Sequence, residues 1–190
     1  MDKIGEKIGF IAFFFAVLNI STSAHPVLLI LCYIIHEAGH ITMAKVNNVG
    51  VKALRLGSFR LCISYDCSRC SYKKELAVCC GGILFNLIFA LIGWLLGLAR
   101  CEAGSFFIVC NICLAMMNLY PVSTLDGGGA MKCVLMMLLG EDKAEKASKA
   151  VSFVFVLALW LCAVYLQLVL NSNISLFFIS VFLLIQICFS

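Results

Sequence analysis

"IIHEAGHITM", residues 34–43, sets two histidines and a glutamate inside a run that otherwise reads as a membrane-spanning helix. An ionisable group at the centre of a bilayer costs about 3 kcal/mol, so three of them need a purpose. His36 and His40 are four apart, so on a helix their imidazoles share one face and can hold one ion. Glu37 lies three before His40 and can reach a water on that ion, which makes the pattern H-E-x-x-H. A purely structural zinc site has no use for a spare carboxylate, whereas hydrolysis needs a general base beside the metal. A hydrolytic zinc also takes a third protein ligand and keeps one position open.

Composition sets the class around this motif. Of 190 residues 63% are hydrophobic and only 13% charged, with a mean hydropathy of +1.07. A soluble domain is about half apolar, so an integral membrane protein is expected. The net charge is +4, but no basic cluster with interleaved aromatics occurs, which excludes nucleic acid as a partner and leaves the lipid bilayer. Most of the 12 cysteines lie in apolar runs, where a thiol behaves as a small hydrophobe. Cys67 and Cys70 form a lone C-x-x-C, two ligands short of a structural zinc knuckle.

Six apolar stretches follow one another: 8–20, 27–45, 76–99, a long one over 105–140, 151–170 and 174–189. The first has a lysine flank and a small-residue end, as a signal peptide does, but it leads directly into the helix at Pro26 and is expected to be a retained span. The fourth is too long for one span and contains "NLYPVSTLDGGG", residues 118–129, where Pro121 and the glycines stop a regular helix. Between the second and third, "FRLCISYD" (59–66) alternates apolar and polar residues and reads as a strand, with "VKALRL" (51–56) as its partner across Gly57-Ser58. The fold class expected is therefore an all-α polytopic membrane protein of six transmembrane helices, with a small membrane-associated β-hairpin between helices 2 and 3. Basic residues crowd the N-terminus and the two long loops, and only Arg100 falls on the other side, so both termini and those loops should be cytoplasmic.

Depth brings the third ligand into view. At 1.5 Å per residue His36 lies about 15 Å from Pro26 and His40 about 21 Å, while a chain entering at Ser105 reaches Tyr120 after about 22 Å. Asp126, next to that break, is thus expected beside the histidines in the cytoplasmic half of the bilayer. An intramembrane histidine often serves only as an interhelical hydrogen-bonder. Here two of the three histidines sit in the motif, with an Asp-Gly break at matching depth, and His25 is left as an interfacial residue.

"HEAGH" in a second span, "GGILFN" (81–86) in a third and "NLYPVSTLDGG" (118–128) in a fourth together resemble the site-2 protease family of intramembrane zinc metalloproteases. The likeness covers about residues 27–140 and is greatest to the six-span branch containing the sporulation protease, which implies a bacterial cell membrane. It implies one Zn2+ ion held by His36, His40 and Asp126, with Glu37 as base. It further implies that Asn118 hydrogen-bonds the substrate carbonyl or its oxyanion and that Asn86 helps to position substrate or the unwound fourth span. The chain departs from the family in having Gly82-Ile83 for Gly-Pro and Gly129 where an arginine is common, and neither change removes a ligand. Nothing in it resembles a PDZ or nucleotide-sensing domain, so a single minimal domain over 1–190 is expected. The function expected is cleavage of a membrane-anchored protein or peptide within or next to its transmembrane segment. A non-hydrolytic zinc-binding chaperone or adaptor is the alternative, ahead of a metal transporter, for which no inverted repeat is visible.

Overall fold

The computed structural model describes residues 25–49, 51–56, 61–65, 71–170 and 180–181. In chain order they form α1 (His25–Val46), β1 (Val51–Leu56), β2 (Leu61–Tyr65), α2 (Tyr72–Leu95), a 3-10 turn (Leu98–Arg100), α3 (Glu102–Leu119), α4 (Asp126–Leu139) and α5 (Glu141–Leu170). Four of these helices are long and apolar enough to cross a membrane: α1, α2, α3 and the Glu141–Tyr165 part of α5. They support an integral membrane protein. The expected first and last spans lie outside the described residues, as do the Gly57-Ser58 turn, Phe59, Cys67 and Cys70. The chain divides into two compact units, one ending at Leu119 and one beginning at Tyr120.

In the first unit α1 packs on α2 and on α3, and α2 packs on α3. Lipid tails are as apolar as leucine, so helices in a membrane gain little by hiding large side chains and associate where small ones let backbones approach. The buried stripe of α2 follows that rule: Val78, Gly82, Asn86 and Ala90 recur every four residues, while Leu84, Leu87, Leu91 and Leu95 point outward. Gly39 of α1 meets Gly81 of α2 there, and a Cβ on either glycine would overlap the other's carbonyl. The end of α1 is fixed locally. Val49 N–H donates to Ala44 O at 2.9 Å and Asn48 N–H to Lys45 O at 3.1 Å, with Asn48 in the left-handed region at φ 52. This is a Schellman closure, and its usual apolar contact is made by Val49 with Ala44, joined by Val78. Beyond it β1 and β2 pair antiparallel, with Leu54 opposite Ile63 and Leu56 opposite Leu61.

In the second unit the chain is unwound from Tyr120 to Leu125, then forms α4, which packs on α5. The expected fourth span is thus α3, a break and α4. At 14 residues, α4 is about 21 Å long and does not span a hydrocarbon core of about 30 Å. The inner stripe of α5 is again small and four-spaced: Ala144, Ser148, Ser152 and Val156 are buried. Val156 packs with Val122 of the unwound segment, and Tyr120, Leu125 and Leu159 surround that contact. The helix starts at Glu141, ten residues before the apolar run read from the sequence. Glu141 and Asp142 complement its N-terminal dipole, and Glu145 pairs with Lys149 at 3.4 Å, so the helix continues through polar residues. The same effect carries α2 back to Tyr72, with Glu75 in its first turn.

Candidate metal centre

His36, Glu37 and His40 lie on one helix and all three are buried, at 4%, 3% and 6% exposure. The imidazoles meet edge to face, with ring centroids 4.8 Å apart and planes at 84°. His40 Nδ1 stands 2.8 Å from the Val78 carbonyl of α2. A carbonyl only accepts, so Nδ1 carries the proton and His40 Nε2 presents a lone pair. That lone pair faces His36 Nε2 at 3.2 Å. Two nitrogens on one tetrahedral zinc, with bonds of about 2.0–2.1 Å, lie about 3.3 Å apart. Donor type, spacing and the carbonyl that fixes the ring all fit zinc, since metal-bound histidines usually give their other N–H to such an acceptor.

The facing helix leaves room for the rings only because position 82 is glycine. A Cβ there would stand 2.6 Å from His36 Cε1, 2.6 Å from His40 Nε2 and 2.7 Å from His36 Nε2. Gly82 thus forms the floor of the histidine pair, a role the motif reading does not assign to it. One signal for it was the four-residue spacing of small side chains along 78–90.

His36 and His40 in the first unit each offer a buried donor atom suited to a metal, and so, in the second unit, does Asp126. Asp126 is the first residue of α4 in the second unit. Its helix closes tightly on the segment before it: Leu125 N–H donates to Val122 O at 2.8 Å and Gly129 N–H to Leu125 O at 3.1 Å. Gly128 completes the turn, since a Cβ on it would overlap the Val122 carbonyl. Asn118, the penultimate residue of α3, is half-buried and donates one amide hydrogen to Leu114 O at 3.0 Å. Asn86 is fully buried on α2, and neither of its amide atoms has a hydrogen-bond partner among the described residues. An unsatisfied buried amide costs about 1–3 kcal/mol.

Apolar helices with a buried histidine pair spaced for one metal ion define a membrane protein with a candidate metal site. Comparison with known proteins narrows this: residues 101–162 match the model of peptidase family M50, a segment that holds Asn118 and Asp126 and begins after the histidines. The fold is similar to that of the site-2 protease from Methanocaldococcus jannaschii, with a TM-score of 0.69 and 21% identity, covering 96% of this chain and 86% of that one. The family match covers about a third of the chain, and the likeness to the solved structure is one of fold. No curated protein matches the chain.

Proposed function

We propose that this chain is an intramembrane zinc metalloprotease that cuts a peptide bond within or next to the transmembrane segment of a membrane-anchored protein or peptide. One observation carries the reading: two buried imidazole nitrogens 3.2 Å apart on an apolar helix, one ring fixed by a carbonyl. His36 and His40, with Asp126 as third ligand, hold one Zn2+, which when bound supplies Lewis acidity at the scissile carbonyl. Glu37 takes the proton of the attacking water and passes it to the leaving amine. Asn118, which gives one amide hydrogen to Leu114 O, keeps the second to donate to the substrate carbonyl or oxyanion. Asn86, whose amide finds no partner among the described residues, helps to position substrate or the unwound segment.

In this reading the catalytic core spans about residues 27–140 of one domain, six spans cross the bilayer with both termini cytoplasmic, and the β1–β2 pair lies at the membrane surface. The active site is in the cytoplasmic half, and the six-span sporulation branch is the nearest functional analogue. The test is to incubate the purified protein and its Glu37→Gln form with a panel of single-span substrates in bilayer mimetics. Cleavage by the first and not the second supports the reading. A protein that binds zinc and substrate but cuts nothing is instead the non-hydrolytic chaperone or adaptor.

A further inference from the structure

We propose that Ser152 of α5 is a positioning residue for the metal centre, pinning the unwound segment that delivers Asp126. The inference rests on the assignment of Asp126 as a zinc ligand. Ser152 is fully buried. Its Oγ accepts the Ser123 N–H at 3.0 Å and donates to the Pro121 carbonyl at 3.4 Å. Tyr120 adds a second attachment to the same helix: its hydroxyl donates to Phe155 O at 3.4 Å, and its ring meets Phe155 edge to face at 5.4 Å. Backbone groups without helical partners must be satisfied by protein when the surroundings are apolar. Proline has no N–H to give, so at this break the chain takes its partner from a side chain.

The hydroxyl holds the ligand as well as the loop, because little slack separates them. Three residues lead from Ser123 to Asp126, and the Val122–Leu125 and Leu125–Gly129 hydrogen bonds, with Gly128 closed against Val122, fold that stretch back on itself. A shift at Ser123 is therefore passed to Asp126 rather than absorbed between them. Ser148 serves as an internal control: it is buried on the same stripe one turn earlier and has no bond to the segment.

Three variants, Ser152→Ala, Ser152→Thr and Ser148→Ala, are measured in the full-length purified protein. In metal-free protein Ser152→Ala should speed amide exchange over residues 120–126, and Ser148→Ala should not. The zinc dissociation constant, from competition with a chromophoric chelator, should rise about tenfold in Ser152→Ala, as for residues that orient a ligand, with kcat falling and KM little changed. Ser152→Thr, which keeps the hydroxyl, should lie closer to the parent in every reading. Equal effects of Ser148→Ala, or unchanged exchange and zinc affinity in Ser152→Ala, overturn the proposal. Asp126→Ala is run alongside. If it retains zinc, the ligand assignment falls and the inference with it. If it loses zinc while Ser152→Ala does not, only the inference falls.

Discussion

Gly82 supports His40 by having no side chain: any Cβ at that position would stand 2.6 Å from the Nε2 that faces His36. The ring cannot give way easily, because its other nitrogen is bonded to Val78 O at 2.8 Å. Gly82→Ala should therefore raise the zinc dissociation constant by at least about tenfold while the helices remain folded. Gly93→Ala is the control. The nearest atom to a Cβ there is Ile108 Cγ1 at 3.2 Å, with Leu98 Cδ1 next at 3.5 Å, so a shift of a few tenths of an ångström makes room. A Gly82→Ala protein that binds zinc as tightly as Gly93→Ala would refute the cradle.

Ligand and base should separate on mutation. His36→Ala or Asp126→Ala lowers zinc content, measured by elemental analysis of purified protein, whereas Glu37→Gln keeps zinc and loses about 10²–10⁴ in turnover. Stripping the metal with a chelator should abolish cleavage, and adding zinc should restore it. Equal zinc loss in all three variants would sink the division of labour.

Orientation is checked with thiols. Cys101 is a free, exposed cysteine next to Arg100, and the proposed topology puts it on the opposite side of the membrane from Cys67 and Cys70. In sealed vesicles an impermeant maleimide should label Cys101 from one side and Cys67 and Cys70 only from the other. Labelling of both sets from the same side would invalidate the proposed topology.

A peptide bond within a transmembrane helix is shielded, since its carbonyl is bonded four residues on. Substrates should therefore carry Gly, Pro or Asn near the cytoplasmic end of their span, and replacing these with leucine should slow cleavage without blocking insertion, as read by gel assay. Cleavage at undiminished rate would mean that access is controlled elsewhere. Proline at Ile63, which pairs with Leu54, should slow cleavage too if β2 receives the substrate strand, with zinc content intact.

Asn48 tests the closure of α1. At φ 52 a side chain is tolerated best as asparagine, and glycine is freer still. Asn48→Gly should be neutral or slightly stabilising in denaturant titrations. Asn48→Val should cost about 1–2 kcal/mol, and equal stability of the two would show that the end is held by other contacts.

The apolar runs, the break at Pro121 and the H-E-x-x-H motif were legible because hydropathy, proline chemistry and helical spacing are local properties of the chain. Helix starts were less so. Glu141 and Tyr72 begin their helices well before the apolar residues do, since dipole complementarity and i,i+4 pairing extend a helix through polar sequence. The least legible features were Gly82 and Ser152. One acts by what it leaves empty and the other by two backbone bonds across 29 and 31 positions. Such roles depend on which helix faces which, and no single stretch encodes that.

The polar beginning of α5 gives the second unit a rigid handle. Glu141 and Ser152 belong to one unbroken helix, and the eleven helical steps from one to the other make a rod of about 16 Å. Tilting the charged end of that rod, by a bound antibody fragment or a protein gripping Glu145 and Lys149, would act as a lever on the serine at its foot and hence on the segment leading to Asp126. A contact made wholly outside the apolar run thereby has a mechanical route to a buried carboxylate.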